Sequence, residues 1–273
     1  MILDPCLLDA IIEGDGLEVV FQPIFHHRDD GWRLHGFEAL TRGPRGTNME
    51  GADVLFEYVR RKREESAVDR VCLARVLKAA RQLGSAPRLS FNVHASTLGR
   101  DREFVTYLAE MLQHHARPAS RFTVEIVEHA PMWGGRSFQL ALDDLRALGV
   151  SVALDDVGLG NSNYRMILEC RPDYFKVDRY LVAGASRDFF RRAVLRSIAD
   201  LSGSFGALVV AEGLDDSADL QVALDEGIAL AQGFLLCRPQ PAAILKAMGL
   251  LRDAPVMAFN GRRALAASAG ASA

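Results

Sequence analysis

The chain has 273 residues, 49% of them hydrophobic and 25% charged, and a formal net charge of −3 at pH 7. That balance excludes a disordered or collagen-like polymer, and the near-neutral charge excludes a general electrostatic grip on duplex nucleic acid or an anionic membrane. A chain of this length buries about 70–75% of its unfolded surface, so its core needs neither a disulfide nor a structural metal.

Met1 to Glu13 carries acids and no basic stretch, so no signal peptide is expected. No apolar run reaches the roughly 20 residues that span a bilayer. The expected location is the cytoplasm. Eight β-rich runs follow. Leu17–Phe25 and Arg33–Arg42 are joined by polar His26–Trp32, too short for a crossover helix, which predicts an antiparallel pair. Then come Arg88–His94, Phe122–Glu128, Ser151–Val157, Tyr174–Asp178, Ala207–Gly213 and Leu230–Leu236. Between them apolar residues recur three and four apart, as in Phe138, Leu142, Leu145 and Leu148, the spacing of helices with one buried face. Eight strand–helix steps in about 250 residues predict an α/β fold. Its form is a (β/α)8 TIM-like barrel over residues 1–252, with the first strand antiparallel to the rest. A dinucleotide-binding sheet would need G-x-G-x-x-G after its first strand, and Phe25–Asp30 contains no glycine. Residues 253–273, rich in Ala, Gly and Ser, are expected to form a disordered tail.

Cys6, Cys72, Cys170 and Cys237 contain no C-x-x-C pair, so buried thiols are expected rather than a zinc or redox site. The seven histidines show no H-E-x-x-H or H-x-H spacing and are expected at the surface. Arg60-Arg61-Lys62-Arg63, followed by Glu64-Glu65, reads as a solvated helix face.

Several strands end in polar residues: Glu38, Asn92, Glu125 with Glu128, Asp155 with Asp156, Lys176 with Asp178, Glu212 and Gln232. In a parallel barrel, groups from separate strands converge at the C-terminal rim, the usual seat of catalysis. Five carboxylates in one mouth (Glu38, Glu125, Asp155, Asp156 and Glu212) would push several pKa values up unless cations entered. Lys176 and two divalent ions would bring that cluster to neutrality. Hard oxygen donors suit Mg2+ or Mn2+ better than zinc, and a pair of such ions is the standard arrangement for displacement at phosphorus. Only four lysines stand among 32 basic residues, so an ammonium at this point looks selected over the commoner guanidinium.

Taken together these segments resemble the EAL-domain family of cyclic di-GMP phosphodiesterases. The resemblance runs from about residue 15 to 245. It rests on Phe21-Gln22-Pro23-Ile24, Glu38-Ala39-Leu40 with Arg42, Phe91-Asn92-Val93, Glu125-Ile126-Val127-Glu128, Asp155-Asp156, Lys176-Val177-Asp178, Ala211-Glu212-Gly213 and Gln232-Gly233. It implies that Glu38, Asn92, Glu125 and Asp155 hold one metal ion, and Asp155, Asp156 and Glu212 a second. Lys176 and Glu212 would position and deprotonate the attacking water, with Glu212 either ligand or base. Gln22, Arg42 and Gln232 match substrate-contacting positions. The implied reaction converts cyclic di-GMP to linear pGpG in bacterial second-messenger signalling, with Mg2+ or Mn2+ as cofactors. A homodimer is expected through the loop and helix after strand five, and control by expression, association or a regulatory protein partner.

The departures lie in supporting positions. The family's D-F-G-T-G-Y-S loop is here Asp156-Val157-Gly158-Leu159-Gly160-Asn161-Ser162, which keeps Gly158, Gly160 and Ser162. A glutamate of the family is replaced by Asp215, and Val127 stands for a threonine. These changes suit an alternative, a weak or inactive EAL domain serving as a cyclic di-GMP receptor or protein-interaction module.

Overall fold

The computed structural model describes residues 9, 11–13, 16–127, 135–159 and 164–251. Cys6, Glu128, Gly160, Ser162 and the expected tail lie outside the described residues. Eight strands close into a barrel in chain order: β1 (Glu18–Arg28), β2 (Gly31–Arg42), β3 (Arg88–His94), β4 (Phe122–Val127), β5 (Ser151–Leu154), β6 (Tyr174–Val177), β7 (Leu208–Ala211) and β8 (Leu230–Ala231). β1 is antiparallel to both its neighbours, β2 and β8, and the remaining pairs are parallel.

The first two strands are longer than the sequence pattern predicts. Arg28 pairs with Gly31 across a two-residue turn, so the ladder absorbs most of His26–Trp32. Gly31 sits at φ 111°, a left-handed value that suits glycine. The later strands are shorter than predicted, because pairing stops where the chain peels into the rim loops. Single backbone bonds still tie those ends together: Glu212 N–H donates to Val177 O (3.0 Å) and Gln232 N–H to Ala211 O (2.9 Å). Asp155, Glu212 and Gln232 therefore lie one step past the ends of their strands, whereas Glu38, Asn92, Glu125 and Lys176 lie within the ladders, one or two rungs from the end.

Strand alternation sorts the side chains into two cores. Phe37, Ala39, Val124, Ile126, Phe175 and Val177 face outward into the large apolar layer shared with the helices. Ile24, Ala153, Tyr174, Val210 and Leu230 plug the barrel interior. Glu38, Glu125 and Lys176, each between two outward residues, must then point inward above the plug. The helices that cover the barrel include α1 (Ala52–Lys62), α2 (Glu65–Ala80), α3 (Ala95–Arg100), α4 (Phe104–Gln113), α5 (Arg136–Ala147) and α6 (Tyr164–Cys170). Further helices among the described residues are α7 (Arg179–Val182), α8 (Phe189–Phe205), α9 (Ser217–Asp225) and α10 (Ala242–Ala247). Among the described residues no helix is long and apolar enough to cross a membrane.

Cys72, Cys170 and Cys237 are buried, as the spacing implied. Arg61, Lys62 and Arg63 are exposed, and Glu57 pairs with Arg60 and Arg61. Two histidines correct the surface expectation. The β1–β2 register skips His35, and this extra residue reaches the Tyr174 hydroxyl at 3.2 Å beneath the barrel plug. Burial pushes its imidazole down to a pKa of about 3. His94 is buried at the end of β3 against Asp69 of α2.

Candidate active site

Lys176 is 2% exposed and stands at the centre of the rim. Its Nζ lies 2.6 Å from Glu125 Oε2, 2.8 Å from Glu212 Oε1, 3.2 Å from Asp155 Oδ1 and 3.4 Å from Glu38 Oε1. Four strands thus deliver carboxylates to one ammonium. Glu38 is further held by Asn92 Nδ2 (3.3 Å) and by Gln232 Nε2 (2.7 Å), which bring in β3 and the end of β8. Gln22 faces Glu38 across the β1–β2 ladder and donates to Cys237 O at 3.2 Å. Asp156 follows Asp155 in the left-handed region, at φ 52°, a conformation aspartate tolerates better than most side chains. The two adjacent carboxylates consequently leave the chain in different directions.

Charge governs this pocket. Burial, and then the neighbouring Glu38 carboxylate, push Glu125 up to about 8, with Lys176 only partly offsetting them. Burial and the Asp155 and Asp178 carboxylates push Asp156 up to about 6. Glu212 is raised well above the carboxylate range by burial, and by Asp155 and Glu38, against the pull of Lys176. Burial also opposes ionised Glu38, but Lys176 and the amides of Gln232 and Asn92 outweigh it and hold that carboxyl low. Lys176 is raised by Asp155, Glu125, Glu212 and Glu38 despite its burial. One ammonium cannot neutralise five carboxylates, so the cluster must take up protons or further cations.

The residues present fit divalent metal. The donors are all oxygen, and Asn92 Oδ1 and Gln232 Oε1 are buried with no hydrogen-bond partner. Among the described residues no three His, Cys, Asp or Glu side chains already form a closed metal cage. The carboxylates close instead on Lys176, their internal counter-ion. Two cavities flank Glu38. The larger, 340 Å3, runs along Arg42, Asn92 and Asp155, and the smaller, 120 Å3, along Gln22, Glu212, Gln232 and Phe234.

Other predicted site residues take supporting places. Asp178 accepts from Tyr180 N–H (2.7 Å) and caps α7. Asp215 pairs with Arg179 at 2.6 Å on the rim of the smaller cavity. Gly158 sits at φ 94°, and a Cβ there would approach Leu181 Cδ1 at 2.7 Å. The sequence reading missed Arg179 and the Asp69–His94 pair. The signal for the pair is an acid on the apolar face of α2, in line with Cys72, Leu73 and Val76.

The chain belongs to the EAL-domain family, whose model matches residues 6–239. It is 28% identical over 244 residues to the Pseudomonas aeruginosa cyclic di-GMP phosphodiesterase NbdA, which covers 88% of this chain and 31% of that one. It is 29% identical over 250 residues to the Mycobacterium tuberculosis protein Rv1354c, covering 89% of this chain and 40% of that one. The chain thus spans less than half the length of these relatives. Klebsiella pneumoniae BlrP1, solved with calcium and cyclic di-GMP, superposes with a TM-score of 0.73 at 26% identity, over 83% of this chain and 56% of that one.

Proposed function

We propose that this chain is a metal-dependent phosphodiesterase that hydrolyses cyclic di-GMP to linear pGpG. The observation that carries the reading is the convergence of Glu38, Glu125, Asp155 and Glu212 on Lys176, with two unpartnered buried amide oxygens beside them. The names of NbdA and BlrP1's bound nucleotide support the choice of substrate.

Glu38, Asn92, Glu125 and Asp155 would hold one Mg2+ or Mn2+, and Asp155, Asp156 and Glu212 a second. When bound, such ions bring the pKa of a water near neutrality and neutralise charge on the phosphoryl oxygens. The chain's own groups do the rest. Where Glu212 serves as the base rather than as a ligand, its ionised carboxylate accepts the proton of the attacking water, and Lys176 Nζ, 2.8 Å away, favours that ionised form and orients the group. The water oxygen bonds to phosphorus as the bond to the 3′-oxygen breaks, and that oxygen leaves as an alkoxide that takes a proton from solvent water, while Glu212 returns its proton to solvent. Gln22, Arg42 and Gln232 hold the substrate in the two cavities on either side of Glu38.

The test is incubation with cyclic di-GMP and Mn2+, with and without a chelator, followed by separation of products. Metal-dependent pGpG is expected, and binding without any product would leave only the receptor alternative. That alternative draws on Asp215, which turns to Arg179 instead of joining the cluster. A cytoplasmic homodimer belongs to the same reading. Tyr164 and Leu168 on α6, the helix after β5, are 72% and 66% exposed and offer it a contact face. A purely monomeric mass in light scattering would remove that element.

A further inference from the structure

A further cavity lies inside the barrel, beneath the rim. It measures 20 Å3, and its walls include Ser90, Thr123, Tyr174 and His35, with Glu125 and Lys176 at the roof. Each rim group stands two residues beyond one of these: Asn92 beyond Ser90, Glu125 beyond Thr123, and Lys176 beyond Tyr174. Residues two apart on a strand share a face, so this layer lies directly below the carboxylate cluster. Ser90 also pairs with Glu38 on β2 and with Thr123 on β4. Barrel interiors are normally filled by Val, Ile or Leu. Here Gly36, Ser90, Thr123 and Ala153 come from four successive strands, and the space they leave is the cavity.

Ser90 is 6% exposed, and its hydroxyl has no hydrogen-bond partner among the described residues. A buried polar group left unpaired is costly, so this hydroxyl calls for a partner. The unpartnered amide oxygens of Asn92 and Gln232 sit in the rim, where cations reach them. Ser90 lies one layer lower, and the Lys176 ammonium at the roof repels any cation there. The volume excludes anything larger than a water molecule, for which about 10–15 Å3 is enough. A buried water also needs about two to four polar partners. The Ser90 and Thr123 hydroxyls supply them from the sides and the Glu125 carboxylate from above. Glu125 Oε2 accepts from Lys176 at 2.6 Å, and a carboxylate has further lone pairs for a water.

We propose that this cavity is a binding site for one buried water molecule, held by Ser90, and that Ser90 acts through it as a positioning residue for the Glu125 carboxylate. The positioning role rests on the metal-dependent reading, whereas the water site stands on the cavity and its unpaired hydroxyl. Anchored at Ser90, the water donates to Glu125 and fixes the carboxylate's orientation before a cation arrives. Outer hydrogen bonds of this kind tune a metal site, and losing one costs about 10–100-fold in affinity.

The experiment uses the full chain and two measurements. Water-oxygen magnetic relaxation dispersion in chelator counts the long-lived internal waters, and titration calorimetry gives the affinity for Mn2+. Ser90→Val removes the hydroxyl and places a methyl group in the cavity. It should show one long-lived water fewer than the unaltered chain and bind Mn2+ about tenfold more weakly. Its urea midpoint should not fall, since valine is a usual filling of a barrel interior. A merely structural serine would give the opposite pattern, a lowered midpoint with the affinity kept. Ser90→Ala, which removes only the hydroxyl, carries the same two comparisons should the valine variant not fold. An unchanged water count overturns the site. Loss of the water with unchanged Mn2+ affinity overturns the positioning role, and both results leave the phosphodiesterase reading intact. An unaltered chain that takes up no Mn2+ overturns that reading and the positioning role together, while the water count still decides the site.

Discussion

Replacing Lys176 with methionine tests the electrostatic logic of the rim most directly. The side chains are similar in length, so packing is largely kept while the one cation among four carboxylates disappears. The contacts at 2.6 to 3.4 Å correspond to about 5–6 kcal/mol each at an effective dielectric constant near 20. Burial of the ammonium and the mutual repulsion of the acids offset most of that sum. Breaking a buried ion pair from one side costs about 3–5 kcal/mol in practice, and this range is expected for metal-free Lys176→Met at pH 7.5. Urea denaturation in chelator reads it as a lowered midpoint with an unchanged slope. Mn2+ should then restore more stability to the variant than it adds to the unaltered chain, since the dications replace the lost charge and no longer face a competing ammonium. For scale, one ion at 100 times its Kd contributes about 2.7 kcal/mol. Hydrolysis should fall by about 10²–10⁴ even in saturating metal, the usual worth of a group that positions a transferring proton. A metal-free variant as stable as the parent would refute the claim that Lys176 compensates the cluster, as would equal Mn2+ stabilisation of both proteins.

Two further outcomes follow from the same geometry. Glu125 is raised to about 8 and Asp156 to about 6, so the folded state binds more protons than the unfolded chain above the ordinary carboxylate range. Stability of the metal-free protein should therefore fall as pH rises from about 4.5 to about 8, and Mn2+ should flatten or reverse that slope in paired urea titrations. A chelated protein that gains stability over this window would contradict the assignment. Gly233→Ala would place a Cβ 2.1 Å from Leu214 O, forcing apart the loops that follow β7 and β8. A loss of about 1–3 kcal/mol and weaker Mn2+ uptake are expected by thermal melts and calorimetry, because Gln232 and Glu212 move with those loops. An unshifted melt would show that this close approach is not required.

The strand count, the antiparallel first pair and the family could be read from the chain because each rests on local pattern. Alternation places Glu38 between Phe37 and Ala39, Glu125 between Val124 and Ile126, and Lys176 between Phe175 and Val177, so sequence alone assigns those polar groups to the face opposite the apolar ones. It also exposes the excess of acids over ammonium at the strand ends.

Distance and partnership belong to the closed barrel. Only closure brings Gln232 to Glu38, 194 positions apart in the chain, and sets four carboxylates around a single Nζ. The same closure ended β5 to β8 early, turned His35 inward through one skipped register position, and buried His94 on a helical acid 25 residues upstream. Side-chain direction is a property of the strand, whereas burial and the partners that balance a charge depend on which distant segments the fold brings together.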